Sequence, residues 1–122
     1  SPRGSGWCWM SERPWMPRAD IYETPEHVVL QLDLPGVKAD QVDIECEKGT
    51  LTIKGARPFP DDESGRTYYR VEHAYGPFER YFEIPRTLDV NKVEATYQDG
   101  VLTLRFPKAE EAKPRKIQIQ IN

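Results

Sequence analysis

KVEATYQDGVLTLRFPK, residues 92–108, is the stretch from which the architecture can be read. Val93, Ala95 and Tyr97 alternate with charged and polar neighbours, and Leu102, Leu104 and Phe106 do the same beyond Asp99-Gly100. Alternation is the period of a strand with one buried face. Asp-Gly accepts the positive φ that a two-residue hairpin turn demands. The stretch is predicted as a β-hairpin with one apolar side, which needs a second layer to cover it.

The sequence upstream repeats this grammar. FERYFEIP (78–85) sets Phe78, Arg80 and Phe82 against Glu79, Tyr81 and Glu83. QVDIECEKGTLTIKG (41–55) places Val42, Ile44 and Cys46 on one face, turns at Lys48-Gly49, and returns with Leu51 and Ile53, a second hairpin. HVVLQLDLPGV (27–37) alternates Val28, Leu30, Leu32 and Leu34 against Val29, Gln31 and Asp33 before a Pro35-Gly36 turn. ADIYE (19–23) is a short strand stopped by Thr24-Pro25, and TYYRVEH (67–73) is strand-like beyond the polar loop ARPFPDDESGR (56–66). Helix has little support beyond a turn at DVNK (89–92). Seven to eight short strands, punctuated by eleven prolines and eight glycines, predict an all-β chain of two antiparallel sheets packed as a β-sandwich.

At 122 residues and 38% apolar content the chain suits one domain with a modest core. A net charge of -3 with no dense Lys/Arg block argues against a nucleic-acid partner. No apolar run approaches the roughly 20 residues of a membrane span, and SPRGSGWCWM lacks the order of a signal peptide. A cytoplasmic protein is expected. The first residue is Ser rather than Met, which leaves a preceding segment open. Cys8 and Cys46 are too few for a disulfide framework, and Cys46 is expected in the core.

No catalytic constellation emerges, and neither an enzyme nor a cofactor is expected. His27 and His73 stand in no metal spacing, no glycine-rich loop opens a helix to cradle phosphate, and no serine lies in G-x-S-x-G. Asp61, Asp62 and Glu63 cluster in the polar loop, where a solvated charge run is a simpler reading than calcium.

Two segments lie outside this pattern. Residues 1–17 hold all three tryptophans and both methionines: Trp7, Trp9, Met10, Trp15 and Met16. Disordered tails are poor in aromatics, so these side chains need a surface to meet. At the other end Ile117, Ile119 and Ile121 alternate with Gln118 and Gln120 after the charged run KAEEAKPRK. That is either a last edge strand on the chain's own sheet or a strand looking for another partner.

Several stretches together resemble the α-crystallin domain of small heat shock proteins in its bacterial and plant form. ADIYETPEHVVLQLDLPGV is similar to the family's opening, GPFERYFEIP to its F-x-R-x-F-x-[LI]-P strand, and ATYQDGVLTLRFPK to the A-x-x-x-x-G-V-L signature through Ala95, Gly100, Val101 and Leu102. The ending IQI resembles the I-x-I tail motif. These elements follow the family's order across residues 18–121. The resemblance implies an immunoglobulin-like sandwich at 18–107, with flexible extensions at 1–17 and 108–122. It also implies ATP-independent binding of unfolding proteins and assembly of dimers into larger homo-oligomers.

Further site expectations come from the same resemblance. Tyr68, Tyr69, Arg70 and Val71 would cross to a partner and pair with its Asp20, Ile21 and Tyr22. Glu83 stands where metazoan members often carry Arg, which weakens a metazoan-type dimer. The tail isoleucines would dock in a neighbour's groove between the strands carrying Val42, Ile44 and Cys46, and Val93, Ala95 and Tyr97. An extended linker over the eleven residues from Phe106 to Ile117 would reach about 36 Å. The tryptophan- and methionine-rich segment would offer an adaptable surface to clients, or else pack inside the assembly or onto the sandwich. A second family with this sandwich, the CS-domain co-chaperones, is the alternative, but an I-x-I tail is foreign to it.

Overall fold

A computed structural model describes residues 15–60, 65–114 and 116–121. The described strands are β1 (Ala19–Glu23), β2 (His27–Asp33), β3 (Val42–Glu47), β4 (Thr50–Arg57), β5 (Gly76–Glu83), β6 (Glu94–Gln98) and β7 (Val101–Pro107). They form a four-stranded sheet in the order β1-β2-β7-β6 and a three-stranded sheet in the order β3-β4-β5, with every pairing antiparallel. The only regular helix among the described residues is short 3-10 turns, one of them at Val90–Lys92, where the Asp89 carboxylate accepts from the Asn91 amide.

Both predicted hairpins form in the register their turns dictate. Ala95 faces Leu104 and Tyr97 faces Leu102, across a turn in which Asp99 and Gly100 both take positive φ. Lys48 and Gly49 do the same, setting Ile44 opposite Ile53 and Cys46 opposite Leu51. The inward residues of both sheets merge into one core of Leu30, Leu32, Leu51, Ile53, Phe78, Leu102, Leu104 and Phe106, closed by Leu34, Val37 and Leu88.

Two side chains depart from the alternation. Val29 lies on the face of β2 opposite the core row yet is fully buried; its ladder neighbours are Tyr22 and Arg105, whose long side chains flank it. Cys46, expected in the core, is exposed. It points inward, but β3 is an edge strand and, among the described residues, has no strand on its outer side to cover it.

Gly55 marks a close approach between neighbouring strands of the three-stranded sheet. A Cβ placed there would stand 2.6 Å from the Gln41 carbonyl oxygen and 2.9 Å from the Phe78 ring. The first contact is main chain and the second belongs to a core ring, so neither yields cheaply. Gly55→Ala is expected to destabilise the sandwich by about 1–3 kcal/mol, read as a lower denaturant midpoint with an unchanged slope.

Candidate functional site: two open edges and two apolar segments

An edge strand has backbone groups without ladder partners and side chains without a lateral neighbour. Four strands occupy that position: β1 and β6 in one sheet, β3 and β5 in the other. On one side of the sandwich β1 faces β5 across an apolar cleft of about 300 Å³, lined by Ile21, Val28, Leu30, Phe82, Ile84 and Leu88 among others. The strand orders leave β6 and β3 to flank the opposite side.

The β3/β6 side carries the predicted acceptor residues. Ile44 pairs with fully buried Ile53 and points the same way, yet is 38% exposed; Val93 is equally open at 38%. Ala95 pairs with buried Leu104 and is itself exposed. Inward-pointing apolar side chains without cover make a groove. Its floor is firmer: Val42 and Tyr97 are half-buried against the core, and the Tyr97 hydroxyl donates between the carbonyls of Leu34 (2.6 Å) and Val37 (2.7 Å). Tyr97 is thus a strut that ties β6 to the chain leading into β3, a role its alternation alone does not reveal.

The candidate occupants stand free of both sheets. Ile117, Ile119 and Ile121 belong to no strand and are 90%, 86% and 91% exposed. The linker before them is shorter than its sequence suggests. Lys108 donates its amide to the Glu26 carbonyl and bridges Leu88, and Ala109 donates to Thr87. Lys108 also pairs with Glu23, and a 3-10 turn follows at Glu110–Ala112. Beside that turn the Lys113 ammonium donates to Glu110 at 3.0 Å and holds that carboxyl below its ordinary pKa. Main-chain bonds tie the chain to the body as far as Ala109, so the eight residues on to Ile117 reach about 26 Å rather than about 36 Å.

The predicted crossing segment also stands outside both sheets. Residues 67–73 form no strand within this chain, and Tyr69 is 95% exposed. Its base is fastened: Phe59 meets Tyr75 edge-on at 4.9 Å and Tyr68 at 5.2 Å, the Arg57 guanidinium lies over the Tyr75 ring, and Arg57 reaches His73 Nδ1 at 3.0 Å. Tyr68 therefore packs on its own chain, Tyr69 and Arg70 project, and Val71 is half-buried. Tyr75, passed over in the sequence reading, anchors the loop; an aromatic just before Gly76-Pro77 was the available signal. Of the proposed acceptor, Ile21 is 59% and Tyr22 45% exposed on the unpaired edge of β1, and Asp20 is exposed beside them.

At the N-terminal end Trp15 and Met16 part company. Trp15 packs edge-on against Phe78 at 5.4 Å, and its indole N–H donates to the Gly76 carbonyl at 2.9 Å. Arg80, read as a charge on an otherwise apolar face, donates to the Pro17 carbonyl and so holds the same segment. Met16 remains 70% exposed. Trp7, Trp9 and Met10 lie outside the described residues, as do Asp61, Asp62 and Glu63. No group that could hold a metal ion occurs among the described residues, and none of their helices is long and apolar enough to cross a membrane.

This edge-rich sandwich with its order of strands can be set beside known proteins. The model of the Hsp20/alpha crystallin family matches residues 20–122. The chain belongs to that family, the small heat shock proteins. Among curated relatives, the 18 kDa antigen 2 of Mycobacterium avium is 39% identical over 92% of this chain and 80% of its own length. The 16.9 kDa class I heat shock protein 3 of Oryza sativa subsp. japonica is 42% identical over 86% of this chain and 71% of its own. Among solved structures, a small heat-shock protein from Xylella fastidiosa superposes with a TM-score of 0.73 at 37% identity, covering 89% of this chain and all of that one. The sandwich of this small heat shock protein is thus the α-crystallin domain, and the family frames its role as that of a stress-response chaperone.

Proposed function

We propose that this small heat shock protein is an ATP-independent holdase of the cytoplasm, which binds unfolding proteins and assembles through strand-exchanged dimers. The observation that carries the reading is the coexistence, on one chain, of exposed apolar segments with unfilled apolar edges. Tyr69–Val71 matches the open edge of β1, and Ile117–Ile121 matches the β3/β6 groove. Each contact is worth little alone. Repeated around an assembly, they act through effective concentration and hold subunits that still exchange.

Apolar surface that subunits cover for one another becomes client surface when they separate. Met16, together with Trp7, Trp9 and Met10, supplies adaptable contacts for chains of unrelated sequence. Trp15 joins them only if it leaves Phe78. Purified protein is expected to suppress heat- or reductant-induced aggregation of a model client at near-stoichiometric ratio, with no change on adding ATP. Client turbidity unaffected at several-fold molar excess would overturn the proposal.

A further inference from the structure

The outward face of the three-stranded sheet has a charge pattern that neither the core nor the groove explains. The ladder register puts Asp43, Glu45 and Glu47 of β3 on that face with Glu79 and Glu83 of β5. All five are exposed, Lys54 is the one cation in the same rows, and among the described residues none of the five carboxylates is in an ion pair. Such a face repels itself and is costly without a cationic neighbour.

The chain carries a matching segment. Lys113, Arg115 and Lys116 immediately precede the tail isoleucines. Lys113 already pairs with Glu110 in its own chain, while Lys116 is exposed and, among the described residues, in no ion pair. Parity then relates the two features. On β3 the groove side is Val42, Ile44 and Cys46, so the outer side is Asp43, Glu45 and Glu47. A tail that lies along this edge with Ile117 and Ile119 in the groove turns Lys116 and Gln118 outward, beside the acidic row. On the β6 flank the outward residues are Glu94, Thr96 and Gln98, a single charge.

We infer that Lys116 of one copy seats against Asp43, Glu45 and Glu47 of a second copy, so that charge selects the β3 flank and apolar burial fills the groove. This rests on the tail docking proposed above. Adjacent strands lie about 4.8 Å apart, so the β3 row is one spacing from a docked tail and the β5 carboxylates about three. At about 0.1 M salt the screening length is roughly 10 Å, which leaves the β3 row effective and the β5 row largely screened.

The test measures the concentration at half-assembly of the full chain by sedimentation, with melting as the control for folding. Glu45→Lys with Glu47→Lys is expected to raise that concentration roughly ten-fold, from about two- to five-fold per exposed pair. Lys116→Glu should raise it about two- to five-fold, and the three changes combined should recover assembly to within a few-fold of the unchanged chain. Glu79→Lys with Glu83→Lys should change little. No recovery in the combined variant, or an equal effect from the β5 pair, would overturn the inference in favour of general charge repulsion. Ile117→Ser with Ile119→Ser separates the levels. If it disassembles the protein while the charge variants do nothing, only the electrostatic seat is wrong; if it leaves assembly intact, tail docking falls and this inference with it.

Discussion

Replacing Tyr69 and Val71 by aspartate is expected to leave a folded monomer. Neither residue belongs to a strand or to the core cluster of its own chain, so the core is untouched and only half-buried Val71 gives up some contact within its loop. Strand addition to β1 of a partner would bury both side chains in each of two copies, near Ile21 and the mouth of the β1/β5 cleft. At about 1.5–3 kcal/mol per side chain, the four together represent roughly 6–12 kcal/mol of gross burial. Even after the ordering cost of the loop, that decides between dimer and monomer, since about 1.4 kcal/mol is a ten-fold change in affinity. An introduced carboxylate also has to shed its water to enter the interface. Sedimentation should report a monomer, and the melt should stay cooperative with a midpoint lowered only by the loss of mass-action stabilisation. A double variant that stays dimeric would show that the crossing segment is not the dimer contact.

Ile117→Ser with Ile119→Ser is expected to reduce the large assembly to dimers at an almost unchanged melting temperature. The two side chains are 90% and 86% exposed on the isolated chain, so their removal costs its core nothing. Docked on a neighbour they would contribute about 3–6 kcal/mol of gross burial per contact, more than a weak tail contact can lose. Gln118→Ser should matter little. Ile121→Ser should have the smallest effect of the three isoleucine changes, since the last residues of a chain fray. The alternative, a tail folded as an edge strand of its own sheet, predicts a lower melting temperature with assembly unchanged. Mass and melting measured on one double variant therefore separate the two.

The short tether sharpens this second expectation. Lys108 and Ala109 bond to Glu26 and Thr87, so the tail leaves the body at Ala109 rather than Phe106. A reach of about 26 Å, rather than about 36 Å, requires a neighbour whose groove lies closer. Lengthening the segment 113–116 would loosen the geometry without removing the contact.

What the sequence determined by itself is everything with a local cause. Strand identities follow from a two-residue period, and both hairpin registers from Asp99-Gly100 and Lys48-Gly49, whose positive φ fits only a tight turn. The ordered family motifs were equally legible, because they are made of neighbours in the chain. What only the tertiary structure decided is which of those residues acquire a lateral neighbour. Cys46 and Leu51 face each other across one ladder and point the same way, yet one is exposed and the other 2% exposed. The difference is that β4 has a strand on each side and β3 only one. The sequence leaves Trp15 open between client surface and packing on the sandwich, and Gly76 and Phe78, some sixty residues away in the chain, decide it with a hydrogen bond and a ring face. Lys108 looked like linker until Glu26 and Leu88 held it. Burial depends on contacts between residues far apart in sequence, and no period along the chain records whether a second strand will lie beside the first.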